Sequence, residues 1–271
     1  MPELPEVETT RRGIIPHIVD QTIEQVIIRA PKLRWPIPKS ISKHLPGQVV
    51  RSIERRAKYL LVAFDTGTLI IHLGMSGRLQ ALSTTTTANK HDHVDIGFKN
   101  GCWLRYTDPR RFGSILWTTD APLEHKLLCQ LGPEPFDKSF TAEFLVTSKK
   151  NKKLAVKNFI MDSKVVVGVG NIYASEALFA AEIDPRTAAN QVTSQQYSLL
   201  VKHIQRILKL AIKNGGTTLK DFLDTDGNPG YFSQKLQVYG RADLNCLRCD
   251  GKITALQIGQ RNTFFCPGCQ H

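Results

Sequence analysis

Two pairs of cysteines near the end of the chain, Cys246-x-x-Cys249 and Cys266-x-x-Cys269, have the types and spacing that hold a metal ion. Each pair turns two thiolates onto one centre, and four thiolates close a tetrahedral structural zinc site with no open position. Two disulfides are the other use of such pairs. They belong to secreted chains, and the acidic start "MPELPEVE" lacks the basic-then-apolar pattern of a secretory signal. Cys102 and Cys129 lack the spacing and are read as ordinary thiols. A second stretch, "VGVGNIYASEALF", has a tight Gly168-x-Gly170 turn leading to Asn171 at a helix N-cap, where exposed amides suit a phosphate. It has neither the third glycine of a dinucleotide fingerprint nor the lysine of a P-loop. A plain helix–turn–helix core element explains it as well. The third oddity is the terminus itself: a proline directly after Met1, with Glu3, Glu6 and Glu8 crowded behind it.

These groups act only if elements hold them. The 271 residues carry 41% hydrophobic side chains, enough for packed cores, and a formal net charge of +12 that favours a polyanionic partner, with nucleic acid first. The longest apolar runs, "YLLVAF" and "VVVGVG", are far below the roughly 18 residues that span a membrane. "TIEQVIIRA", "VVRSIERR", "YLLVAF" and "TLIIHLG" are β-branched, apolar and bounded by turn signals, so they read as strands. "HVDIGFKNGCWLRYTD" reads as a hairpin turning at Asn100-Gly101. An opening helix is predicted from about Pro5 to Gly13, its acids complementing the dipole at the helix start. After "LGPEPFDKS" the period becomes helical. "LAVKNFIMD" and "NIYASEALFAA" are short helices, and Leu200, Ile204, Ile207, Leu208, Ala211 and Ile212 share one face of a long one. Thr193 with Gln196 caps its start and Gly215-Gly216 stops it. "ITALQIGQRNTFF" between the cysteine pairs predicts a β-hairpin with Arg261 at its tip.

The expected fold is therefore α+β and multidomain. It has an N-terminal two-sheet β-sandwich with a flanking helix (1–133), a helical domain (134–220), a Gly/Asp-rich connection (221–236) and a zinc-finger β-hairpin (237–271).

Taken together and in order, "PELPEVET", "RRAKYLL", "HLGMSG", "KHDHVD", "TDPRRFG", "VVVGVGNIYASE" and the four-cysteine finger resemble the bacterial formamidopyrimidine-DNA glycosylases over essentially the whole chain. Asn158-Phe159 stand where that family usually has Pro-Trp after the lysine. The resemblance implies a helix–two-turn–helix domain, one structural zinc, and a monomer acting on duplex DNA with oxidised bases or abasic sites. It implies a base-excision-repair enzyme of the bacterial cytoplasm and nucleoid, which removes 8-oxoguanine and formamidopyrimidines and then cuts the strand by β,δ-elimination. The alternatives are an endonuclease VIII-type glycosylase for oxidised pyrimidines and a non-catalytic zinc-finger DNA-binding protein. Pro2 and Glu3 speak against the second, since a pure binder needs neither.

The terminus then acquires a chemistry. Loss of Met1 would leave Pro2 with a secondary α-amine. Roughly a tenth of such amines are neutral at pH 7, against about 0.04% of lysines. Attack on a sugar C1′ gives a cationic iminium that acidifies the C2′ proton. Glu3 is placed to protonate the opening sugar oxygen. By the same resemblance Lys58 serves β-elimination and Arg261 serves δ-elimination, both gripping phosphate. His91, Arg110, Lys152, Lys157, Asn171, Lys220 and Tyr239 contact DNA. Met75, Arg110 and Phe112 fill the gap left by the extruded nucleotide. The segment after Lys220, "DFLDTDGNPGYF", closes over the flipped base.

Overall fold

The computed structural model describes residues 2–217 and 232–271, in two compact units. Lys220 and most of the expected lid lie outside the described residues. The first unit comprises residues 1–129 and 214–233. Its helix α1 (Leu4–Ile18) packs against β2 (Ser52–Arg56), β3 (Tyr59–Phe64) and β5 (Arg78–Leu82). The helix runs past the predicted stop at Gly13 because Val7, Ile14 and Ile18 form a buried stripe, and burying Ile14 and Ile18 outweighs one mid-helix glycine.

Two four-stranded antiparallel sheets enclose the core. One has the order β2-β3-β4-β8, with β4 at Gly67–His72 and β8 at Ser114–Thr118. The other runs β1-β6-β7-β5, with β1 at Ile23–Ile28, β6 at Asp92–Phe98 and β7 at Trp103–Thr107. Side chains two apart face inward. Leu60, Val62 and Phe64 of β3, and Leu69 and Ile71 of β4, meet Val94, Ile96 and Phe98 of β6 and Leu104 and Tyr106 of β7 in one cluster. The β6–β7 connection is the predicted Asn100-Gly101 turn, with Gly101 at φ +85. A one-turn helix, α2 (Ile41–His44), lies against β1.

The second unit comprises residues 130–213 and 234–271, so the finger groups with the helices. It contains α3 (Ala142–Ser148), α4 (Val156–Met161), α5 (Asn171–Ala180) and α6 (Ser194–Lys213). The α6 cap is as expected: Gln196 N–H donates to Thr193 Oγ1 and Thr193 N–H to Gln196 Oε1. Leu200, Ile204, Ile207, Leu208 and Ala211 are buried on its inner face, while Ile212 is only half-buried. The finger hairpin, β9 (Thr254–Ile258) and β10 (Arg261–Phe265), packs on α5 through a small core of Phe179, Val238, Ile253 and the cysteines. Among the described residues no helix is long and apolar enough to cross a membrane.

Candidate active site and nucleic-acid interface

In the first unit Pro2 and Glu3 are buried, Glu3 being 1% exposed. A capping box holds them. Glu3 is the N-cap of α1, and its backbone N–H donates to Glu6 Oε2 at 2.8 Å. The other oxygen of Glu6 accepts the Thr217 N–H at 2.7 Å. Gly216, at φ +82, makes that approach possible, because a Cβ there would lie 2.9 Å from Glu6 Oε1. Glu6 thus joins the chain terminus to the segment that enters 218–231, a role beyond complementing the helix dipole.

Glu8 also does more than face the dipole. Its carboxylate accepts from Arg11 and Arg12 on its own helix and from Arg55 on β2. Burial alone would raise its pKa; the arginine hydrogen bonds and charges outweigh that and hold it at about 2. Arg55 in turn donates to the carbonyl of Ala57 at 2.9 Å. Ala57 and Lys58 are the two residues that connect β2 to β3, and Ala57 sits at φ +55. The backbone just before Lys58 is therefore tied to α1 through Glu8 and Arg55. Beside it His72 has a pKa lowered to about 4, by burial first and then by the Lys58 and Arg34 charges, so its ring is neutral at pH 7. Its Nδ1 accepts the Gly74 N–H.

Met75 is half-buried, whereas Arg110 and Phe112 are exposed, Phe112 by 46%. The Arg110 guanidinium lies 4.9 Å above the Phe112 ring. The loops bearing Met75 and Phe112 touch backbone to backbone, since a Cβ at Gly74 would meet Gly113 N at 2.4 Å and Phe112 C at 2.5 Å. His91 is half-buried, and its carbonyl accepts the Asp108 N–H.

In the second unit the expected placement of Lys157 is corrected. Its side chain is fully buried, not exposed to a DNA backbone. Its ammonium donates to Asn171 Oδ1 (2.6 Å), Thr263 Oγ1 (2.7 Å) and the Asn262 carbonyl (3.2 Å). Hydrogen bonds to these oxygens make that burial tolerable. Asn171 is also corrected by one position: Gly170 is the N-cap of α5 and Asn171 its first helical residue. The Asn171 amide donates to the Asn262 carbonyl at 2.9 Å, so Lys157 and Asn171 together grip the strand that begins at Arg261. Arg261 is exposed and pairs with Ile258 just after the Gly259-Gln260 turn, beside the tip rather than on it. Asn158, the departure from the usual family pattern, lies against that turn at Gly259. Tyr239 stacks edge-on against Phe264 at 5.0 Å, and Lys152 is exposed in the loop after α3. The sequence reading missed Glu176. It is buried on α5 and accepts three backbone N–H groups, from Gln237, Val238 and Tyr239, each at 2.9 Å. No local signal marks it, because its partners are some sixty residues away.

The four cysteine sulfurs lie within 4.8 Å of one another. Two of the separations are 3.9 Å (Cys246–Cys269) and 3.5 Å (Cys249–Cys266). A tetrahedral ion with Zn–S bonds of about 2.3 Å spaces its sulfurs by about 3.8 Å, so the cluster fits zinc. Burial and the neighbouring thiols push Cys266 and Cys269 up, a repulsion that a divalent cation removes.

The description "Formamidopyrimidine-DNA glycosylase N-terminal domain" matches residues 1–115, the H2TH domain of the same enzyme matches 131–223, and the "zinc finger found in FPG and IleRS" matches 244–271. The formamidopyrimidine-DNA glycosylase of Vibrio atlanticus is 56% identical, and that of Pseudomonas paraeruginosa 55%, each covering all of both chains. Lactococcus lactis Fpg solved with abasic-site DNA superposes with a TM-score of 0.92 at 33% identity, covering all of both chains. MutM (Fpg) from Thermus thermophilus does so at 0.89 and 34%, covering 99% of this chain and 98% of the other. The chain belongs to the formamidopyrimidine-DNA glycosylase family. It is a base-excision-repair DNA glycosylase and abasic-site lyase with one structural zinc site.

Proposed function

We propose that the enzyme, once Met1 is removed, attacks the lesion nucleotide through Pro2. The amine bonds to C1′, the C1′–base bond breaks, and Glu3 protonates the ring oxygen as the sugar opens to an iminium. The iminium draws electrons from C2′, whose proton leaves, and the 3′ phosphate departs; a second elimination releases the 5′ phosphate. Lys58 assists the first elimination and Arg261 the second. His91, Arg110, Lys152, Asn171 and Tyr239 address the DNA, and Met75, Arg110 and Phe112 occupy the space of the flipped base. Lys157 acts indirectly, by fixing Asn171 and Asn262. The zinc, held by Cys246, Cys249, Cys266 and Cys269, keeps the hairpin folded and takes no part in the reaction. The substrate is duplex DNA with oxidised purines or abasic sites, in keeping with the abasic and 8-oxo-G complexes of similar proteins. It is handled by a single chain in the bacterial cytoplasm.

The observation that carries this reading is the buried Pro2–Glu3 pair fastened by the Glu6 capping box. A frayed terminus has no need of such a fixture. Borohydride trapping on an 8-oxoguanine duplex should give a covalent adduct that peptide mapping places on Pro2. An adduct found only on Lys58 would overturn the assignment. A variant keeping any residue ahead of Pro2 should lose base excision and strand cutting while still binding abasic-site DNA.

A further inference from the structure

Asp108 is fully buried, yet the reaction as proposed gives it no task. Its surroundings show what it holds. Oδ1 accepts the hydroxyl of Ser76, which follows Met75, at 2.8 Å. Oδ2 accepts the backbone N–H of Gly113, which follows Phe112, at 2.8 Å, and lies 3.4 Å from the Tyr106 hydroxyl. Ser76 Oγ accepts the Arg110 N–H at 3.2 Å. The backbone of Asp108 is pinned as well: its carbonyl accepts from His93 Nε2 at 2.8 Å and from the Arg111 N–H at 3.2 Å. Arg111 at φ +54 turns the loop sharply, and Gly74 packs on Phe112 and Gly113 with no room for a side chain.

One carboxylate thus connects the loop of Met75 to the loop of Arg110 and Phe112. We propose that Asp108, acting with Ser76, is the positioning group that locks these two loops into a single wedge, so that Met75, Arg110 and Phe112 enter the duplex in fixed register. The inference rests on the wedge role given to those three side chains above. Physical necessity favours such a lock. A methionine on one loop and an arginine with an exposed phenylalanine on the other lose conformational freedom when they enter a base stack, and loops already fixed lose less. An aspartate suits the task because its two side-chain oxygens accept from both loops at once.

The test compares Ser76→Ala, which removes the bridge with little change in volume, and Asp108→Asn with the parent and with Phe112→Ala. Single-turnover excision from an 8-oxoguanine duplex and cleavage of a pre-formed abasic site are measured at saturating enzyme. Fluorescence of 2-aminopurine next to the lesion reports unstacking, and melting temperature reports the fold. Both lock variants should slow duplex excision by about tenfold or more and weaken the 2-aminopurine signal, while abasic-site cleavage stays near the parent rate. Equal losses on both substrates would mean that Asp108 merely supports the fold, and would overturn the inference. If Phe112→Ala slows duplex excision but neither lock variant does, the wedge stands and the lock is refuted. If Phe112→Ala itself leaves duplex excision unchanged, the wedge reading fails and the inference fails with it.

Discussion

Replacing Glu8 by glutamine keeps the shape of the side chain and removes the charge at the centre of Arg11, Arg12 and Arg55. A carboxylate held at about 2 in place of 4.5 binds its proton less well in the folded protein, by an amount equivalent to about 3 kcal/mol. Arg12 is largely exposed, so solvent screening brings the expected loss at pH 7 to about 2 kcal/mol. The folded-state pKa is depressed, so this stabilisation is fully present above about pH 4.5 and disappears as pH falls toward 2. Urea unfolding of both proteins should show the full gap at pH 7 and about half of it or less at pH 3. Acid loss of zinc weakens both proteins alike and cancels in the difference. A gap that stays constant from pH 7 to pH 3 would show that Glu8 contributes packing rather than charge. It would also remove the electrostatic tie from α1 through Arg55 to the turn of Lys58.

Cys266→Ser should cost the zinc, measured as metal per chain, and unfold the hairpin, since a tail this small cannot hold itself without the ion; full DNA affinity in a zinc-free Cys266→Ser protein would contradict this. Arg261→Ala should weaken binding to lesion and plain DNA alike and flatten the dependence of affinity on salt by about one unit of slope, whereas an unchanged slope would mean that no phosphate contact was lost. Lys157→Met should destabilise the protein by about 2 kcal/mol in urea unfolding, because it takes the ammonium donor from Asn171 Oδ1 and from the buried Thr263 Oγ1. It should leave the salt slope nearly unchanged; a slope lower by one unit in a protein of parental stability would show that Lys157 touches phosphate directly.

Whatever rests on neighbours in the chain was already decided by the sequence. Within each cysteine pair the x-x spacing forms its own turn and brings two thiols to one side. Thr193 with Gln196, Gly101 in the β6–β7 turn and the inner stripe of α6 are contacts across one to four residues, and the residue types fix them. The candidate reactive residues were legible for a related reason: Pro2 is unusual by chemistry and the motifs around Lys58 and Arg110 by resemblance. Tertiary structure decided the partners of buried charge. Nothing local pairs β4 with β8 or β1 with β6, or tells that Glu6 reaches Thr217, that Glu176 holds Gln237 to Tyr239, or that Lys157 is enclosed. A glutamate at a helix start reads as dipole complement because that is the nearest use of an exposed charge, and the resemblance that gave Lys157 a DNA contact carries no information on its burial. Once the sheets close over a shared core, exposure is no longer available, and a buried charge must find every hydrogen bond it needs wherever the fold supplies one.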